Sequence, residues 1–309
     1  MWKLIRRVLL ALVVLVVILN WTWGRLPSTP PAPSGSKFAQ VGDKRIHYME
    51  KPGREPAVLM IHGLPGTYGD WQPVQSVTEG RRTISIDRPG YAYSSDGYVA
   101  FADQVKLLHA LADELKLERP VIAGHSYGGS LALAYGLQYP EDTRAIVAVD
   151  PGVNGDDISS MDMGRAGFAL ALQQPVIQPI ANLTFSQAAF TFSGKTGAKE
   201  AFDPDPVTDG YEERLLAVNM KRPDLSAYGH EYLDLESAYR GFQDRLRELK
   251  RPVFMIQGRD DKLVPTTSVR AAAKTIPRVK YRELAGGHMQ PYTHPREVAN
   301  FVAQAAAVK

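Results

Sequence analysis

The 309-residue chain contains no cysteine. It therefore has no disulfide, no thiol nucleophile and no thiolate metal site, and it can fold in either redox compartment. Its 7 histidines include no HExxH or similarly spaced pair, so neither a metal nor any other cofactor is expected. Surplus charge is also missing. The net charge is +3, and Lys3, Arg6 and Arg7 at the N-terminus account for it. No basic field is left for nucleic acid, which is not expected as a partner. No internal repeat is visible. A composition of 44% hydrophobic and 22% charged residues is that of an ordinary globular protein, long enough to bury a sizeable core.

Long apolar runs are scarce too, and the single pronounced one is N-terminal. Residues 1–23 read MWKLIRRVLLALVVLVVILNWTW, a basic start followed by an unbroken apolar stretch from Val8 to Leu19. That stretch is shorter than the roughly 20 residues of a full span, but Trp21 and Trp23 can extend it to headgroup level. Thr22-Trp23-Gly24 is a poor cleavage site. A transmembrane anchor is expected, with a cleaved signal peptide as the alternative. In both, the basic residues stay inside and the body lies outside the cytoplasm, in the periplasm if the cell is bacterial. Residues 24–36, GRLPSTPPAPSGS, read as a proline-rich spacer.

From residue 37 strands and helices alternate. KFAQVG and RIHYMEK form a hairpin about Gly42-Asp43. AVLMIHG at 57–63, RTISID at 82–87, PVIAG at 120–124, AIVAVD at 145–150, VFMIQG at 253–258 and VKYREL at 279–284 read as strands. Helices are expected over 98–117, 130–138 and 295–308, with stripes such as Val298, Phe301, Val302 and Ala305. The pattern predicts an α/β fold with a mostly parallel central sheet of about eight strands flanked by helices. The core spans 37–152 and 249–309. Residues 153–248 carry no strong strand. Helical segments at 163–172, 187–191, 212–219 and 233–249 mark them as a helical cap inserted after the sixth strand.

Ligands on such sheets bind beyond the carboxyl ends of the strands. The residues there are His62-Gly63-Leu64-Pro65-Gly66, then His125-Ser126-Tyr127, Asp150, Arg259-Asp260-Asp261 and Gly286-Gly287-His288. One serine, several acids and one histidine thus share a rim, in the chain order Ser, Asp, His. Gly124, Ser126 and Gly128 form a G-x-S-x-G elbow. With HGLPG at 62–66, GHSYGG at 124–129, GRDDKLVP at 258–265 and GGH at 286–288, residues 37–309 resemble the α/β-hydrolase superfamily in its helical-cap branch.

The resemblance implies a serine hydrolase. Ser126 would be the nucleophile and His288 its base. Asp261, four residues before Pro265, would hold the imidazole. Asp150 is the rival acid, and Asp260 caps the loop or faces solvent. The oxyanion would be held by the backbone N–H groups of Tyr127 and Leu64. A serine at the elbow, rather than an aspartate, favours acyl transfer on a small-molecule substrate, first of all a carboxylic ester. Amide or peptide hydrolysis, C–C bond hydrolysis, perhydrolysis and a non-catalytic binding module are the alternatives.

Other polar residues invite plainer readings. His125 and His62 fill structural slots, and Asp87 orders a turn with Arg88. His47, His109, His230 and His294 are explained by surface or helix positions. Glu212, Glu213, Glu231 and Asp234 would hold a substrate amine in an aminopeptidase, but exposed helical charge is the simpler account. Phe168, Phe185, Phe190, Tyr211 and Tyr228 line an acyl pocket or pack the cap.

Overall fold

The computed structural model describes residues 30–158, 186–219 and 226–309, with scattered positions among the first fifteen and at 167, 169 and 170. Eight strands build one sheet. They are β1 (Lys37–Val41), β2 (Lys44–Lys51), β3 (Arg54–Ile61), β4 (Arg81–Ile86), β5 (Val121–His125), β6 (Ala145–Val149), β7 (Val253–Gly258) and β8 (Val279–Leu284). Their spatial order is β1-β2-β4-β3-β5-β6-β7-β8. Every pairing from β4 to β8 is parallel, and β2 runs antiparallel to both its neighbours. Strand β3 pairs with β4 on one side and β5 on the other, so the winding reverses there. Such a switch point opens a crevice at the carboxyl ends of the strands.

The helices are α1 (Gln72–Val77), α2 (Phe101–Glu114), α3 (Tyr127–Gln138), α4 (Ser186–Phe202), α5 (Tyr211–Asn219), α6 (Ser226–Arg240), α7 (Thr266–Thr275), α8 (Gln290–Thr293) and α9 (Pro295–Ala306). Side chains alternate across a strand, and the alternation sorts the core into two layers. Val58, Met60, Val121, Ala123, Val147 and Val149 face α1 and α9, where Val298, Phe301 and Val302 are buried. Leu59, Ile61, Ile122, Ile146 and Ala148 face the other layer, with Leu108 and Leu111 of α2, Leu131 of α3 and Val269 of α7. Each fully buried aliphatic side chain contributes about 1.5–3 kcal/mol, which is why the central strands are apolar on both faces.

Several boundaries differ from the sequence pattern. Helix α3 begins at Tyr127, directly after Ser126, rather than at 130. The helix expected over 233–249 is α6, which ends before Gly241, followed by a 3-10 segment over Gln243–Glu248. The segment expected over 187–191 belongs to the longer α4. Helices α1 and α7 were not apparent from periodicity. The expected helix at 163–172 lies mainly outside the described residues. Between β6 and β7, the described residues carry helices and 3-10 turns and no strand.

Described positions of the first fifteen residues are helical, and Trp2, Leu10, Leu12 and Leu15 are exposed. Among the described residues no helix is long and apolar enough to cross a membrane. The rest of the expected anchor, and 24–29 of the spacer, lie outside the described residues. The spacer's end is fastened to the sheet. Ser36 Oγ lies 2.8 Å from His47 Nε2, and His47 Nδ1 lies 2.6 Å from Asp87 Oδ2. This corrects one expectation, since His47 is fully buried in β2; Asp87 orders the turn after β4, its Oδ2 accepting the Tyr93 N–H at 3.3 Å, and also pairs with His47. The remaining Asp87 oxygen accepts the N–H of Tyr68 at 2.7 Å.

Candidate active site

Ser126 sits between β5 and α3 with φ 54° and ψ −123°. A non-glycine residue in this region stores about 1–3 kcal/mol, and the surroundings must enforce it. Two features do. The Ser126 N–H donates to Val149 O at 2.8 Å, tying the corner to β6. The flanking glycines let helix and strand approach closely. A Cβ on Gly124 would lie 1.9 Å from Gly128 O, and one on Gly128 would lie 2.3 Å from Ile61 O. Tyr127 is the first residue of α3, so its N–H is one of those at a helix start that no intrahelical carbonyl accepts.

His288 and Asp261 meet at the same rim. His288 Nδ1 lies 2.7 Å from Asp261 Oδ2. Asp261 Oδ1 accepts the N–H groups of Leu263 at 2.8 Å and Val264 at 2.9 Å, and Oδ2 also accepts Gln257 Nε2 at 2.8 Å. Burial pulls the carboxyl upward, but the His288 ring and these hydrogen bonds prevail and hold it below the usual carboxylate range. An ionised Asp261 keeps the proton on His288 Nδ1 and leaves Nε2 with a lone pair. Gln257 was not singled out from the sequence. Its signal was there, as the one amide in the apolar run VFMIQG.

The other acids sit differently. Asp150 Oδ1 accepts Gly258 N–H at 2.7 Å, and Oδ2 accepts Gln290 N–H at 3.4 Å. Burial and the nearby Asp261 charge push Asp150 well above the usual range. Asp260 Oδ2 accepts the N–H of Gly286 at 3.2 Å across the loop. His125 Nε2 donates to His288 O at 2.8 Å, so Ser126 and His288 are bracketed by one ring. Burial, helped by the neighbouring His288, pushes His125 down to about 3.

The loop after β3 completes the rim. His62 Nε2 accepts the Arg88 backbone N–H at 2.9 Å, so Nδ1 carries the ring proton and donates to Gly63 O at 2.8 Å. Burial and the Arg88 charge hold His62 well below its ordinary value, which keeps the ring neutral. Gly63 packs on the Ser126 corner; a Cβ there would lie 2.9 Å from Ser126 Cβ. Leu64 follows it in the loop and is half-buried.

Glu231 corrects an expectation. It is 1% exposed, inside a polar cluster with Arg88, Gln104 and Tyr91, so it is neither exposed helical charge nor available to an amine. The helical stripe Ala227, Glu231, Leu235 carried that signal, since all three are buried. Tyr211 packs on Phe202 and Tyr292, and Tyr228 stacks on Tyr232. Phe168, Phe185 and the Phe190 side chain lie outside the described residues.

A switch-point crevice, a strained serine elbow and a paired aspartate and histidine at neighbouring strand ends define an α/β-hydrolase. The family model described as the alpha/beta hydrolase fold matches residues 56–295, and the chain belongs to that family. It is a hydrolase by family and by its relatives. It is 30% identical over 250 residues to a 2-hydroxy-6-oxononadienedioate/2-hydroxy-6-oxononatrienedioate hydrolase of Paraburkholderia xenovorans, covering 75% of this chain and 81% of the relative. It is 23% identical over 306 residues to a monoacylglycerol lipase of Mus musculus, covering 93% of this chain and 85% of the relative. Among solved structures, a bacterial membrane phospholipase A superposes with a TM-score of 0.66 at 19% identity. That match covers 99% of this chain and 100% of the other, and establishes likeness of fold.

Proposed function

We propose that the protein is a serine hydrolase that cleaves carboxylic esters through an acyl-enzyme. The observation that carries this reading is the 2.7 Å bond between His288 Nδ1 and Asp261 on the rim that holds the strained Ser126. Ser126 Oγ attacks the ester carbonyl and gives its proton to His288 Nε2. The C–O bond of the tetrahedral adduct breaks, and the leaving alkoxide takes that proton. Water then repeats the sequence on the acyl-enzyme and releases the acid. Asp261 holds the ring and balances the imidazolium. The N–H groups of Leu64 and Tyr127 receive the oxyanion, two donors already in place where the negative charge develops. The helices between β6 and β7 act as the cap over this rim, and substrate selection belongs to them.

A fluorophosphonate probe tests the reading. Labelling of the wild type at Ser126, lost in Ser126→Ala, supports it; an unlabelled wild type would sink it. The likeness to oxo-dienedioate hydrolases supports a second reading, C–C bond hydrolysis on the same residues. The substrate in that name carries a ketone and carboxylates but no ester. Turnover of such a compound at a higher kcat/KM than p-nitrophenyl esters would promote it.

The apolar N-terminal segment serves as a membrane anchor that holds the hydrolase outside the cytoplasm. Its described side chains, among them Trp2, Leu10 and Leu12, are exposed rather than packed on the fold, and a bilayer would cover them. The full-length protein is expected to sediment with membranes and to resist carbonate extraction. A soluble form beginning near Arg25 would make the segment a cleaved signal instead.

A further inference from the structure

Glu231 joins helix α6, in the insertion between β6 and β7, to the loop beside Ser126. Its Oε1 accepts Arg88 Nη1 at 2.5 Å and Gln104 Nε2 at 2.6 Å, and its Oε2 accepts the Tyr91 hydroxyl at 2.6 Å. Arg88 is itself 1% exposed, and its guanidinium lies over the rings of Tyr91 and Tyr127 at 4.5 and 4.6 Å. The free end of that guanidinium, Nη2, donates to Gly63 O at 2.8 Å. His62 Nδ1 donates to the same oxygen.

The peptide between Gly63 and Leu64 is therefore held from its carbonyl side by two donors. It is not among the cis bonds of the chain. In a planar trans peptide the C=O and N–H point in opposite directions. Fixing where Gly63 O points thus fixes where Leu64 N–H points. A second stitch reaches the same loop from helix α5. Asn219 Nδ2 donates to Gly66 O at 3.0 Å, while its Oδ1 accepts Ala92 N–H at 3.0 Å.

We infer that the helical insertion aims the oxyanion donor: Glu231, acting through Arg88, and Asn219, acting on Gly66, are positioning residues that set the direction of Leu64 N–H. This rests on the reading of Leu64 as an oxyanion donor. Burying an ion pair is costly, and a well-packed apolar contact would hold two helices as well. A charged joint earns its place here because it ends on a carbonyl beside the nucleophile, which no apolar contact would orient. Displacement of α6 removes the carboxylate that orients Arg88 and leaves His62 as the one fixed donor to Gly63 O, so turnover depends on the insertion being docked.

The test compares wild type with Glu231→Gln and Asn219→Ala in the full chain. It reads p-nitrophenyl ester kinetics per folded molecule and inhibition by a trifluoromethyl ketone, whose tetrahedral adduct needs the oxyanion donors. Loss of a whole donor costs about 10²–10³ in kcat, so misaiming one is expected to cost about 10–100-fold in Glu231→Gln and about 3–10-fold in Asn219→Ala. KM should change little, and affinity for the ketone should fall in step with kcat. A lower melting temperature with kcat and ketone affinity unchanged would mean a purely structural joint and overturn the inference. Should Glu231→Gln fail to fold, Asn219→Ala and Tyr91→Phe, which removes one donor from Glu231 Oε2, decide by the same two readouts. A wild type that labels with fluorophosphonate beside unaffected variants rejects this inference alone. A wild type that neither labels nor turns over rejects the reading of the site, and this inference with it.

Discussion

Ser126→Ala is expected to lower kcat on a p-nitrophenyl ester by about 10⁴-fold or more, with KM little changed. The substitution deletes the oxygen proposed to attack and nothing else. Alanine keeps the Cβ, so the strain at φ 54° and the packing against Gly63 are retained and the fold should be unaffected. Any residual rate would come from binding and from the oxyanion donors, which do not need the hydroxyl. Steady-state rates with a mass check for wild-type contamination measure this, and a pre-steady-state burst should vanish with the hydroxyl. Turnover within about tenfold of wild type would place the nucleophile elsewhere, since a triad serine carries far more than that.

The second large effect falls on Asp261. Its Oδ1 faces the N–H groups of Leu263 and Val264, which can only donate. An asparagine must keep its carbonyl oxygen there, because an amide NH₂ would meet two donors. Its NH₂ then faces His288 Nδ1 and Gln257 Nε2, where the carboxylate used to accept. The imidazole is driven to the tautomer with the proton on Nε2, the atom proposed to take the serine proton. Asp261→Asn is therefore expected to lower kcat by about 10³–10⁴-fold. Asp150→Asn should lower it much less. Burial and the Asp261 charge favour a neutral Asp150, and an amide is close to a neutral carboxyl in shape and charge. The reverse ranking in kcat would move the acid to the end of β6.

The strands were the most legible part of the chain. Runs such as AVLMI and AIVAV are apolar throughout because β3 and β6 are covered on both faces, and that demand is written residue by residue. The elbow was legible for a similar local reason: only glycine tolerates backbone atoms 1.9 and 2.3 Å from where a Cβ would stand. Helix ends were read less well. Their limits depend on caps and on packing, so α3 starts at Tyr127 and α6 stops at Arg240 against the simple periodic count.

Polar residues divide along the same line. Ser126, Asp261 and His288 stand in short motifs, and the resemblance those motifs carry pointed to them as candidates. Glu231 and His47 carry no motif. Each looks like solvated charge or a surface ring until the chain folds. Glu231 then meets Arg88, 143 positions away, and His47 meets Asp87, 40 positions away. Sequence alone determined the sheet, the insertion's place in the chain and the candidate nucleophile, because each follows from local backbone demands. Tertiary structure alone decided which charges are buried and how the insertion reaches the loop beside Ser126, and it separated Asp261 from its rival Asp150 by the 2.7 Å bond to His288. Those are contacts between distant segments, and whether a charge is solvated or paired depends on what lies around it in space.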